Sequence, residues 1–230
     1  VAVSDGTLAF YSFLSYIAIY LFNIFTAKLP IDIDNRSKYE YVTKIYKVVD
    51  DRELKVDIWY PNHTKDEYPL VVFAHGGGWI SGFRNQPNNI SWCKYLAAKG
   101  FAAASIDYRY GIKNHMKDIL SDYDHALCYL RENAVELKLS SEKIVLMGLS
   151  AGGHLALLYS SYYSNKEDAT KLKGICGVVA YYAPSDLSDM LSSESRSLFA
   201  RFATITTLKD KTARQSGKKS YKTIKSKPGA

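Results

Sequence analysis

At 230 residues, 47% apolar and 23% charged, the chain is long enough for one α/β domain with a sizeable core, and its composition excludes a wholly disordered or fibrous protein. A net charge of +7 points at first to nucleic acid, but eight of the 30 Lys and Arg residues fall in 209–230 beside a single acid, Asp210. That leaves 22 basic and 22 acidic residues in 1–208, so the basicity belongs to a terminal segment and nucleic acid is not an expected partner.

The chain opens on an apolar stretch. Residues 7–27, TLAFYSFLSYIAIYLFNIFTA, contain no charge over 21 positions. As a helix they would span roughly 31 Å, enough for the hydrocarbon core of a bilayer. Ser12, Ser15, Asn23 and Thr26 dilute this character, and a buried or surface amphipathic helix is the competing reading. Residues 1–28 are expected to be an apolar helix and a membrane anchor, with the side of the membrane left open. Residues 28–47 then read as a polar, charged connector.

Strands and helices alternate from there. KVDIWY (55–60) alternates as a half-buried strand does, and LVVFAH (70–75) is a continuous apolar run, as in a strand covered on both faces. Trp92, Tyr95 and Leu96 have helical spacing, and Gly100 closes that helix. FAAASIDY (101–108) is a further strand. Ile119, Tyr123, Ala126, Leu127 and Leu130 form one helical stripe, which predicts a helix over 117–134. KIVLMG (143–148) predicts a strand, Ser150 to Tyr163 a helix, and GICGVVAYY (174–182) another strand. Strands separated by helices imply a largely parallel sheet. After Leu208 the apolar periodicity stops, so 29–208 read as the folded domain and 209–230 as a basic, disordered tail. Cys93, Cys128 and Cys176 show no metal spacing and read as buried free thiols.

Two segments carry chemistry. Gly148-Leu149-Ser150-Ala151-Gly152 follows a strand and opens a helix, the context of a nucleophile elbow. Its glycines let the chain turn sharply beneath Ser150, and the helix N-terminus favours developing negative charge. His75-Gly76-Gly77-Gly78-Trp79 ends the buried 70–75 strand. Glycine amides accept a close approach, so Gly76 and Gly77, with the amide of Ala151, are candidates for an oxyanion hole. His75 precedes the serine and reads as a residue that orients this loop by hydrogen bonding.

HGGGW, DYRY (107–110), GLSAGGHLALL (148–158) and YYAPSDL (181–187), in this order and spacing, resemble the HGGG-motif esterase/lipase group of α/β-hydrolases. That group includes hormone-sensitive-lipase-like and feruloyl-esterase-like members. The resemblance spans roughly 44–208. It implies an α/β-hydrolase fold with a mostly parallel central sheet. It also implies hydrolysis of a small-molecule carboxylic ester through an acyl-enzyme on Ser150, without metal or cofactor. Asp107 and Arg109 match a structural motif near the sheet's end and are expected to form a local brace.

The chain order in this fold is Ser, then acid, then His. His154 alone follows Ser150, one helical turn on, and reads as a packing or hydrogen-bonding residue and not as the base. Asp186 is a weak candidate for the acid, placed one strand early. The last strands, with the usual acid and base, are not visible. The domain is therefore expected to be incomplete, with 174–182 as a hydrophobic sheet edge and with little activity. A non-catalytic hydrolase-like binding or regulatory module is the alternative.

Overall fold

The structure, a computed structural model, describes residues 39–165, 168–191 and 198–208, together with Ser15 and Ile19. Its elements run β1 (Tyr41–Val49), β2 (Arg52–Trp59), β3 (Tyr68–Ala74), α1 (Pro87–Ala98), β4 (Ala102–Ile106) and α2 (Met116–Glu132). They continue with β5 (Leu139–Leu149), α3 (Ala151–Asn165), α4 (Ala169–Leu172), β6 (Ile175–Tyr181), α5 (Leu187–Leu191) and α6 (Leu198–Leu208). The strands form one sheet in the order β1-β2-β4-β3-β5-β6. β1 and β2 are antiparallel, β2 pairs antiparallel with β4, and β4, β3, β5 and β6 are mutually parallel.

Helices cover both faces, which is why the central strands are apolar without interruption. From β3, Leu70, Val72 and Ala74 join Ile119, Tyr123, Leu127 and Leu155 of α2 and α3 in the larger core cluster. The alternate residues Val71 and Phe73 pack with Trp92 of α1 on the other face. The predicted α2 stripe is buried throughout, from Ile119 to Leu130. Each such side chain taken fully from water contributes about 1.5–3 kcal/mol.

The connector reading of 28–47 is corrected by β1. Residues 41–49 form an edge strand on which only Tyr46 is buried, so its Lys and Thr residues lie where solvent meets the sheet. An edge strand needs no continuous apolar face, and its pattern resembles that of a loop. Asp50 and Asp51 turn the chain into β2 with φ of 51° and 57°, the left-handed pair used by tight two-residue hairpins. The thiols are also corrected in part. Cys93 is buried, Cys128 is half-buried, and Cys176 is exposed on β6, which pairs only with β5 among the described residues. Val179 and Tyr181 on the same strand are 40% and 42% exposed, so an apolar strand does form a sheet edge here.

The predicted apolar segment 7–27 lies outside the described residues, apart from Ser15 and Ile19, which are helical and exposed. Among the described residues no helix is long and apolar enough to cross a membrane, so the structure gives the expected N-terminal membrane helix no support. The 209–230 segment also lies outside them.

The sheet register places the site. β3 and β5 are parallel neighbours, with Ala74 opposite Gly148. The two chemistry-bearing segments therefore leave the sheet side by side, at the carboxyl ends of adjacent strands.

Candidate active site

Ser150 occupies the one-residue turn between β5 and α3, with φ of 49°. A non-glycine residue in that region is strained, and the turn holds because its surroundings leave no alternative. The Ser150 amide donates to the Tyr181 carbonyl at 2.8 Å, and the Ser150 carbonyl accepts from the His154 amide at 2.9 Å. A Cβ on Gly148 would lie 2.3 Å from the Gly152 carbonyl carbon, and one on Gly152 would lie 2.1 Å from the Ala74 carbonyl oxygen. Neither distance is tolerable, so the glycine requirement read from the pentapeptide is a packing fact. Ala151 begins α3 and is buried, and its amide belongs to the first turn, which has no intrahelical acceptors.

The glycine loop closes over this elbow. A Cβ on Gly76 would meet the Leu149 carbonyl oxygen at 3.2 Å and the Ser150 Cβ at 3.5 Å. Gly76 therefore lies against the serine side chain. Gly77 has φ of 128°, and its carbonyl accepts from the amides of Ile80 and Ser81 at 3.2 and 3.1 Å and from Ser81 Oγ at 2.9 Å. The Gly76 carbonyl faces His75 Nδ1 at 2.8 Å. Among the described residues, the amides of Gly76 and Gly77 donate to no other backbone group. The structure thus brings Gly76 beside Ser150, with Ala151 next along the chain and the carbonyls of Gly76 and Gly77 both engaged.

The DYRY stretch holds that loop, and this role was only partly legible beforehand. Tyr108 stacks on the His75 ring at 4.1 Å, and its hydroxyl donates to the His75 carbonyl at 2.7 Å. The Tyr110 hydroxyl donates to the Gly82 carbonyl, and the Gly111 amide donates to the Trp79 carbonyl at 2.8 Å. The expected brace from Asp107 and Arg109 exists as two separate ion pairs. Asp107 accepts from Arg84 at 2.9 Å, and Arg109 donates to Asp122 of α2 at 2.8 and 2.9 Å. Tyr110 and Arg84 went unassigned in the sequence because their partners are a backbone carbonyl and acids far along the chain.

Neither histidine beside the site is free to act as a base. His75 is fully buried, and burial pushes it down to about 4. Since it faces a carbonyl, a neutral His75 carries its proton on Nδ1. It orients the loop, as its position before the glycines implied. His154 is 4% exposed, packs edge-on against Trp79 at 5.1 Å, and is likewise lowered to about 4 by burial. It is a packing residue, in line with its place on the helix. His115 heads α2, where its amide donates to Asp118 at 2.8 Å, and His125 on the same helix meets the Ser121 carbonyl at 2.6 Å. His63 lies exposed in the β2–β3 loop. Among the described residues no histidine side chain is hydrogen-bonded to Ser150. Asp186 follows β6, at the same end of the sheet as Ser150, because Tyr181 stands opposite Leu149.

Comparison with known proteins agrees with this geometry. The BD-FAE family matches residues 56–225. A probable isoprenylcysteine alpha-carbonyl methylesterase of Oryza sativa subsp. japonica is 27% identical over 141 residues, covering 60% of this chain and 33% of that protein. The carboxylesterase NlhH of Mycobacterium tuberculosis is 30% identical over 104 residues, covering 45% of this chain and 32% of that protein. The chain thus spans about a third of the length of these curated relatives. Among solved structures, a thermophilic esterase of the planctomycete Thermogutta terrifontis matches with a TM-score of 0.57 and 29% identity, over 77% of this chain and 64% of that one. A bacterial heroin esterase matches with a TM-score of 0.64 over 85% of this chain and 59% of that one, and at 20% identity it speaks for the fold alone. The order of strands, the elbow and the glycine loop are those of an α/β-hydrolase, and the chain belongs to the BD-FAE family.

Proposed function

We propose that the chain carries the nucleophile and oxyanion hole of a serine carboxylic-ester hydrolase. The contact between Gly76 and the Ser150 side chain carries this reading, because it joins two segments that are 74 positions apart in sequence. Ser150 Oγ attacks the ester carbonyl carbon. The amides of Gly76, Gly77 and Ala151 stabilise the oxyanion, the serine proton passes by way of solvent water to the alcohol oxygen as its C–O bond breaks, and a water then attacks the acyl-enzyme, releasing the acid and returning a proton to Ser150 Oγ. Preorganised amides of this kind are each worth about 10²–10³ in rate. The esterase relatives and solved neighbours support small-molecule esters as the substrate class. A binding module has no use for a strained serine, and the φ of 49° at Ser150 favours the enzyme reading.

Among the described residues no histidine side chain is hydrogen-bonded to Ser150, and His75 and His154 are buried, so turnover by residues 1–230 is expected to be slow. An oxyanion hole and binding alone contribute about 10³–10⁴ over water. The test uses p-nitrophenyl acetate and butyrate with a fluorophosphonate label, comparing the chain with Ser150→Ala. Slow turnover and labelling that both vanish in the variant support the reading; turnover equal in both proteins overturns it.

The same proposal includes membrane association through residues 7–27, supported by 21 uncharged positions followed by Lys28. Alkaline carbonate extraction of membranes carrying the chain, with and without residues 1–28, tests it. Release of both forms into the supernatant counts against the anchor.

A further inference from the structure

We infer that Arg84 is a positioning residue for the oxyanion hole, acting through a second layer of the glycine loop. The inference rests on the Ser150 reading above. The loop folds back on itself: residues 80–82 lie behind residues 76 and 77. A Cβ on Gly82 would sit 2.2 Å from the Gly76 carbonyl oxygen and 2.5 Å from His75 Nδ1. A Cβ on Gly77 would sit 2.1 Å from the Ser81 carbonyl oxygen. The peptide planes of the two oxyanion glycines are thus pressed against the backbone of Ser81 and Gly82. Any drift of this backing layer turns the amides that must meet the oxyanion.

What holds the backing layer lies two residues on. The Arg84 guanidinium sits between two buried carboxylates, one on β2 and one just past β4. Its Nη1 donates to Asp107 Oδ2 at 2.9 Å, and its Nε makes an ion-pair contact with Asp57 Oδ1 at 3.0 Å. The Arg84 amide donates to Asp107 Oδ1 at 3.4 Å, and its carbonyl accepts from Ser105 Oγ at 2.8 Å. Asp57 and Asp107 are 2% and 7% exposed, so their charges have little water to turn to. Main chain and side chain of Arg84 are therefore both tied to the sheet. From the other side, the Tyr110 hydroxyl holds the Gly82 carbonyl directly. The loop's height above Ser150 is set by a planar cation that two acids fix at once, a geometry that lysine reproduces only in part.

The experiment compares Arg84→Gln, Arg84→Lys and Tyr110→Phe with the parent chain, with Ser150→Ala as control. Hydrogen–deuterium exchange is followed over residues 75–82, and kcat and KM are measured separately with p-nitrophenyl acetate. In Arg84→Gln, faster exchange confined to 75–82 is expected, with kcat down about 100-fold and KM within about twofold. Arg84→Lys should recover part of kcat, and Tyr110→Phe should lose about tenfold without any change of charge. If Arg84→Gln fails to fold, the lysine and Tyr110 variants decide. Folded variants with parental exchange in 75–82, or with a loss carried by KM alone, overturn the inference. Parental kcat despite loosened exchange overturns its catalytic part. Turnover that survives Ser150→Ala sinks the Ser150 reading instead, and the exchange data then decide the loop assignment alone.

Discussion

The two halves of the site are held in different ways. The elbow is held by contact: Gly148 and Gly152 bring backbone so near that no Cβ fits, and the strain at Ser150 is locked by what surrounds it. The glycine loop is held by reach. Its fastenings are side chains from 84 and from 105–110, most of them ending on backbone carbonyls of the loop. A turn built from contact is written within five residues. A loop built from reach depends on residues that meet only after the sheet has formed.

The largest expected effect falls on the support behind the loop. Asp122 is fully buried and takes Lys47 at 2.7 Å and Arg109 at 2.8 Å. Asp122→Ala leaves the partly buried charges of Arg109 and Lys47 without their carboxylate, and urea unfolding should show a loss of about 3–5 kcal/mol. A loss below 1 kcal/mol would mean that the 105–110 stretch does not depend on α2. On the elbow side, Gly152→Ala forces a Cβ against the Ala74 and His75 carbonyls. A loss of about 3 kcal/mol is expected, at the upper end for overpacking. A fully stable, probe-reactive Gly152→Ala would show that the elbow has slack.

His154, like His75, links stability to pH. Burial lowers it to about 4, below its unfolded value of about 6.5, so the folded state favours the neutral ring. Stability from this group is present above pH 6.5 and is lost as pH falls towards 4. About 2 kcal/mol should have gone by pH 5, and His154→Phe should flatten that slope in a pH series of thermal melts. An unchanged slope would remove His154 from the acid response. The smallest effect has the opposite sign. Ser150→Gly relieves the left-handed strain and should gain about 1 kcal/mol while abolishing fluorophosphonate labelling. A variant less stable than the parent would mean that the serine side chain contributes more than its backbone costs.

Much of the fold was legible because the two-sided sheet leaves a clear pattern. β3 read as a continuous apolar run, the segments 101–108 and 143–148 read as strands, and the α2 stripe read as one helical face. β1 was not legible: Tyr41–Val49 buries one side chain, and a strand that hydrogen-bonds on one side only looks like a loop. Its sequence-level signal was the Asp50-Asp51 turn, weaker than a turn containing glycine. Cys176 was misplaced for a related reason, since its apolar neighbours face a sheet edge and not a core. The tight turn at Ser150 and the glycines it needs at 148 and 152 were legible from one short motif. Arg84 was not, because a single arginine in a loop carries no local sign of the two carboxylates it will join.

By itself, the sequence marked the strand–turn–helix elbow at Ser150, because the elbow's physics is local: small residues two either side of a serine, a strand before and a helix after. It also marked His154 as a packing or hydrogen-bonding residue, since one helical turn does not supply the approach from a separate loop. Only the tertiary structure decided that Gly76 lies beside the Ser150 side chain, that both nearby histidines are buried, and which hydrogen bonds Arg84, Tyr108 and Tyr110 make around the glycine loop. The reason is distance along the chain. Parallel strands bring together segments dozens of residues apart, and which side chain then reaches which carbonyl is settled by register and packing.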